Sequence, residues 1–225
     1  MSNKVVFSFD KEKDLYNLWE TCTAKSYGYD FSSRLPKELV EYCKDKKYED
    51  CKEFINNLYK NIYSSGFVEG YADFLDKSWK KIEKEYFIRM DKIIGKKLKI
   101  KKINAYLTIA PRCPYDPRDK YFMVNFFANP TTNLMTAGHE IMHFYIHENY
   151  FSDIEKKIGN KKTHDLKEAL TVLLNIEFRD LWYVHDNGYE SHKEFREFIS
   201  KEWKKEKNFD KLLIKCVEYM KKDVK

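Results

Sequence analysis

The chain reads as an α+β protein, mostly helical, with a small mixed β-sheet beside a helix that carries an H-E-x-x-H motif. Three observations predict this. Long stretches place apolar residues at helical spacing, while two short stretches before the motif alternate or cluster branched and aromatic residues as strands do. Only seven glycines and five prolines interrupt 225 residues. With 43% hydrophobic and 16% aromatic residues, a core can form beneath a surface rich in charge, so the 35% charged content does not signal disorder.

Taken in order, Val5 to Phe9 (VVFSF) predicts a strand, and Asp10 suits the N-cap of a helix running to about Thr23. Pro36 suits a helix start, and a second helix is expected from Tyr48 to Tyr63, ended by Ser64-Ser65-Gly66. Tyr71, Phe74, Leu75, Trp79, Ile82, Tyr86, Met90, Ile93 and Ile94 then recur at helical spacing, with Gly95 as C-terminal cap. From Leu98 to Ala110 the period changes: Ile103, Ala105, Leu107 and Ile109 alternate with polar residues, as in a strand or hairpin arm. PRCPYDPRD must be a loop, and Tyr121 to Ala128 (YFMVNFFA) is a second strand, ended by Asn129-Pro130. Thr131 or Thr132 can cap the motif helix. Ser152 with Glu155 and Ser191 with Glu194 have capping-box spacing, and Thr163 can cap the helix HDLKEAL. The chain therefore divides into a helical N-terminal region, 1–97, and a region 98–225 that carries the motif and ends in helices, the two expected to pack as one unit.

Composition excludes several classes. Neither the N-terminal MSNKVVFSFDKEKD nor any later stretch has an apolar run of signal-peptide or membrane-span length, so a soluble, cytoplasmic protein without a membrane partner is expected. Cys22, Cys43, Cys51, Cys113 and Cys216 are odd in number and lack C-x-x-C spacing, which argues against a disulfide framework and a thiolate zinc cluster. The formal charge of +6 comes mainly from lysines mixed with glutamates, the pattern of solvated helix faces. One denser run, GKKLKIKK from Gly95 to Lys102, fits a protected strand edge better than a polyanion site, so nucleic acid is not an expected partner. No pattern specifies an oligomeric state.

The stretch MTAGHEIMHFYIH, Met135 to His147, carries the most specific chemistry. On a helix His139 and His143 lie one turn apart on one face, so both imidazoles can reach one ion. Glu140 between them is placed to accept a proton from an activated water. Catalytic zinc takes three protein ligands and leaves one position open. His147 stands eight residues from His139, about 12 Å along a straight helix, and cannot share the ion. Glu168, in THDLKEALTVLLN, is the better third ligand, because a carboxylate on a largely buried helix needs a partner. A lysine at the helix N-terminus is the competing partner, and Glu155 and Glu177 are the competing ligands. Cys113 reads as a loop cysteine rather than a zinc-blocking thiolate.

HEIMH followed by the helical K-E-A-L-T-V-L-L-N segment resembles the gluzincins, zinc peptidases with H-E-x-x-H and a distant helical glutamate, over roughly residues 98 to 180. The metzincin pattern is absent, since Ile146 and Asn149 replace its glycine and histidine. The resemblance implies a zincin-like fold, zinc at His139, His143 and Glu168, Glu140 as general base, and a peptide or protein substrate, cleaved as by an endopeptidase. It implies an oxyanion-stabilising tyrosine or histidine downstream, for which the chain offers Tyr183, His185 and Tyr189, with Tyr189 and His185 the favoured candidates, and an extended substrate lying along the strand Tyr121 to Ala128. Thermolysin-like members orient a histidine through an aspartate four residues after the glutamate, where this chain has Val172; Thr171 and Asn175 can replace that hydrogen bond. Two other readings compete: a zincin-fold regulatory or binding module with little or no peptidase activity, and a metal-free helical interaction protein.

Overall fold

The computed structural model describes residues 3–26 and 28–222. The first two residues, part of the N-terminal stretch and of region 1–97, lie outside the described residues, as do Tyr27 and the last three residues of region 98–225. The described residues are mostly helical with a small mixed four-stranded sheet, which makes the chain α+β. Among the described residues two compact units interleave along the sequence: one from the stretches 4–80 and 102–133, the other from Asn3 with 81–101 and 134–222.

The first unit holds the sheet. Strand β1 (Lys4–Phe9) leads into α1 (Lys11–Thr21), whose N-terminus is capped by Asp10, the side chain accepting from Lys13 N at 3.1 Å. A two-residue ladder, β2 (Lys25–Ser26) with β3 (Tyr29–Asp30), precedes α2 (Lys37–Cys43), α3 (Tyr48–Leu58) and α4 (Lys60–Ser64). The single helix expected from Tyr48 to Tyr63 is thus two, broken at Tyr59, whose φ of −103° and ψ of 13° are not helical. After the break Tyr63 donates its hydroxyl to Asp14 Oδ2 at 2.8 Å. Helix α5 (Phe67–Ile94) follows, contributing its residues through Lys80 to this unit, and Gly95 closes it at φ 72°, as expected of a C-terminal glycine.

Strands β4 (Lys102–Thr108), β5 (Tyr115–Asp116) and β6 (Tyr121–Asn125) complete the sheet in the order β1-β4-β6-β5. β4 pairs in parallel with both β1 and β6, and only β5 runs antiparallel. Two expectations change here. β4 is a central strand and not a hairpin arm, so the lysines leading into it do not guard a sheet edge; residues 96–101 are irregular. The outer side of β6 is not an open edge over Tyr121–Met123 either, because β5 pairs there and Met123 N donates to Pro114 O at 2.9 Å. Alternation reports which residues are buried, as Ile103, Ala105 and Leu107 are, but not how many neighbours a strand has.

Leucines of α1 and α2, the thiols of Cys22, Cys43 and Cys51, and Ile55 of α3 pack with Ile109 and Ala110 into one apolar cluster. Buried Asp14 anchors α1 beside it, accepting from Thr108 Oγ1 at 2.6 Å and Ile109 N at 2.9 Å.

The second unit is helical: the C-terminal part of α5, then α6 (Pro130–Asn149, entering the unit at Leu134), α7 (Phe151–Ile158), α8 (Asn160–Leu170), α9 (Val172–Glu177), α10 (Arg179–Trp182), α11 (Lys193–Lys205) and α12 (Phe209–Lys222). Its helix starts differ from the sequence expectation. Asn129 caps α6 in place of Thr131 or Thr132, its Oδ1 accepting from Thr132 N at 2.8 Å, because Pro130 occupies the first helical position and the cap must precede it. Ser152 and Thr163 already lie inside α7 and α8, and Ser191 lies in a short 3-10 turn before α11. These helices follow one another so closely, Tyr150 alone separating α6 from α7 and Gly159 at φ 80° separating α7 from α8, that no extended capping residue fits. No helix among the described residues is long and apolar enough to cross a membrane.

Candidate metal centre

The motif helix α6 is apolar around most of its girth: Ala137, Ile141, Met142, Phe144, Tyr145 and Ile146 are all buried. Gly138, immediately before the first motif histidine, is required by packing. A Cβ there would lie 2.6 Å from the Trp182 ring, while Tyr86 donates its hydroxyl to the Gly138 carbonyl at 2.6 Å. His139 and His143 then project from one face, their ring centroids 4.4 Å apart and nearly perpendicular. Helix α8 buries Leu166, Ala169 and Leu170, which leaves Glu168 facing the two rings.

Glu168 spans both imidazoles. Its Oε2 lies 3.3 Å from His139 Nε2 and its Oε1 3.2 Å from His143 Nε2. These separations are long for N–H···O hydrogen bonds. Each carboxylate oxygen thus faces one imidazole nitrogen, which sets three donors of the types that hold a divalent ion side by side. Donor atoms of His139, Glu140 and His143 also lie within 4.8 Å of one another. Glu140 Oε2 is buried and has no hydrogen-bond partner among the described residues, as suits a carboxylate reserved for a water or an ion. By donor type and proximity, these residues could hold a metal ion.

Lys167 is buried beside them, its Nζ 3.1 Å from Glu168 Oε1, so a lysine does accompany the histidines, but from the last turn of α8 and not from the helix N-terminus. Glu155 and Glu177 are engaged elsewhere, the first by Asn160 at 2.6 Å, the second by Trp203 at 2.8 Å and Lys207 at 2.7 Å. His147 is exposed, its ring tilted against Phe151 at 5.2 Å. Cys113 lies in the loop before β5, and no cysteine is in a disulfide.

The orienting carboxylate is Asp186, which no sequence pattern had singled out. Its Oδ2 lies 2.9 Å from His139 Nδ1. Thr171 and Asn175, expected to bond a histidine, act one step farther out. Asn175 makes two 2.8 Å hydrogen bonds with the backbone of Asp186, and Thr171 Oγ1 accepts from Arg196 Nη1 at 2.8 Å while Arg196 Nη2 donates to the Asp186 carbonyl at 2.6 Å. Val172 leaves its position without a carboxylate, and the chain supplies one from the loop after α10 instead. Asp186-Asn187-Gly188 reads in sequence as a turn, which it also is: Asp186 Oδ1 accepts from Gly188 N at 3.0 Å. The same loop carries His185, exposed, and Tyr189, its ring edge-on to His192 at 5.6 Å.

Compared with protein-family models, curated proteins and solved structures, the chain matches none.

Electrostatics divide the cluster into distinct roles. Burial and the Lys167 charge push His143 down to about 3, leaving a neutral ring. Burial also works against charge on His139, but the Asp186 carboxylate, with Glu168 and Glu140, outweighs it and holds this ring well above the usual histidine range. Burial is likewise overcome at Glu168, by the two rings and Lys167, and at Asp186, by His139 and Arg196; both carboxyls lie below their ordinary range. Glu140 is the exception. Burial, reinforced by the Glu168 charge against the opposing effect of His139, raises it to about 7, the value of a group that can take and return a proton near neutrality.

Proposed function

We propose that this chain is a zinc-dependent peptide hydrolase with a zincin-like centre, in which His139, His143 and Glu168 hold the ion and Glu140 is the general base. The observation that carries this reading is the contact of the single Glu168 carboxylate with both imidazole nitrogens. A zinc ion held there would supply Lewis acidity, acidifying water and polarising a substrate carbonyl. Glu140 would take the proton of the attacking water on a carboxylate oxygen and return it to the leaving amine nitrogen. Asp186 positions His139, and the packing of α6 and α8 leaves the Glu168 side chain only 13% exposed. Tyr189 and His185 remain the candidates for stabilising the oxyanion. The substrate is a peptide or protein, and the reduced cysteines suit a cytoplasmic setting.

The test is metal analysis joined to cleavage of a peptide library, for wild type, His143→Ala and Glu140→Gln. The reading predicts bound zinc and cleavage in wild type, loss of both in His143→Ala, and retained zinc without cleavage in Glu140→Gln. Zinc bound without cleavage in wild type would favour a regulatory or binding module. Unchanged cleavage in Glu140→Gln would remove the general base from the mechanism.

A further inference from the structure

We propose that Lys167 is a resident counter-cation that sets how tightly this centre holds a divalent ion, an inference that rests on the metal-binding reading above. The lysine side chain is 2% exposed, and its Nζ lies 3.1 Å from Oε1 of Glu168. That same oxygen stands 3.2 Å from His143 Nε2, where it would face the ion. A buried carboxylate is stable only when its charge is met, and when no ion is bound the lysine meets it together with the two rings. An entering dication competes with the ammonium for the lone pairs of Glu168, and the two cations repel each other in an interior that screens charge poorly. Binding must therefore push the ammonium aside or tolerate its repulsion, and either weakens the hold on the ion. Two neutral imidazoles and a carboxylate without such a neighbour would retain zinc more firmly. With Lys167 in place, the chain folds around a compensated cluster whether or not metal is present, and the centre exchanges its ion with the surrounding pool.

The test uses the whole chain stripped of metal, with zinc affinity measured by competition against a chromophoric chelator. Lys167→Met keeps length and helix preference while removing the charge, and Lys167→Gln removes it with a polar side chain. Both variants are expected to bind zinc at least about tenfold more tightly than wild type. Metal-free Lys167→Met should also melt below wild type and gain more on zinc addition. In wild type with 15N-labelled lysine, a resonance assigned to Lys167 Nζ by its loss in the variants should shift as zinc is added. Equal or weaker affinity in folded variants, or an unmoved Nζ resonance on saturation of a zinc-binding wild type, overturns the counter-cation role and leaves the metal centre standing. If wild type binds no more zinc than His143→Ala does, the metal reading itself fails and this inference falls with it.

Discussion

Asp186 holds His139 from 47 residues away: Oδ2 of the aspartate and Nδ1 of the imidazole are 2.9 Å apart, while the ring's Nε2 faces Glu168. A hydrogen bond on one nitrogen fixes which nitrogen is left to ligate. Asp186→Asn should therefore weaken zinc binding by about 10–100-fold in a chelator competition. The fold should survive, because Asn175 and Arg196 hold the backbone of residue 186 and not only its carboxylate. An affinity within twofold of wild type would show that the aspartate does not position the ring.

Metal uptake should expel a proton. In the metal-free protein His139 is held well above the usual histidine range, so at pH 7 it carries the proton that a ligating nitrogen must lose. Zinc affinity should thus rise with pH, by about tenfold per unit until the folded-state pKa of His139 is passed. Adding zinc to weakly buffered protein at pH 7 should acidify the solution by at least one proton per ion, because Glu140, raised to about 7, adds part of its own proton to that of His139. No acidification would mean that the ring is already neutral.

Glu140 makes the stability of the metal-free protein depend on pH in the opposite sense to most carboxylates. Its pKa is raised to about 7, so the folded state binds this proton more tightly than the unfolded state does. Stability from this group is complete below the unfolded value near 4.5 and is lost as pH rises through about 7, a difference on the order of 3 kcal/mol. Urea unfolding should show metal-free Glu140→Gln gaining on wild type between pH 5 and pH 8. A constant difference between the two across that interval would contradict the assignment.

Gly138→Ala should destabilise by about 1–3 kcal/mol, since the added methyl meets the Trp182 ring within van der Waals contact. Gly70 in the exposed early part of α5 provides the control: a Cβ there meets nothing within 4 Å, and alanine should stabilise by about 0.5–1 kcal/mol. Thermal melts of the two variants should move in opposite directions.

Asp14→Ala should cost about 3 kcal/mol or more, because it strands the Thr108 hydroxyl, the Ile109 N–H and the Tyr63 hydroxyl, all of which donate to this one carboxylate. Asp14→Asn keeps an acceptor oxygen and should cost less. Equal losses in the two variants would show that the hydrogen bonds contribute little beyond side-chain volume.

The sequence by itself determined what depends on near neighbours. Asp10 capping α1, Gly95 ending α5, and the alternation of Ile103, Ala105 and Leu107 in β4 are local consequences of backbone and side-chain chemistry, and each was legible. So was the placement of His139 and His143 on one face of α6, because helical geometry alone brings residues four apart together. Glu168 required more, a carboxylate read as needing a partner on a largely buried helix, and the structure sets it against both rings and Lys167. Only the tertiary structure decided that β4 is central, that β5 lies along β6, and that Asp186 orients His139. Strand neighbours and remote hydrogen bonds join residues tens of positions apart, and no spacing along the chain encodes them. Lys167 shows the same division: in sequence it is one lysine among many, and only its burial against Glu168 makes its charge matter.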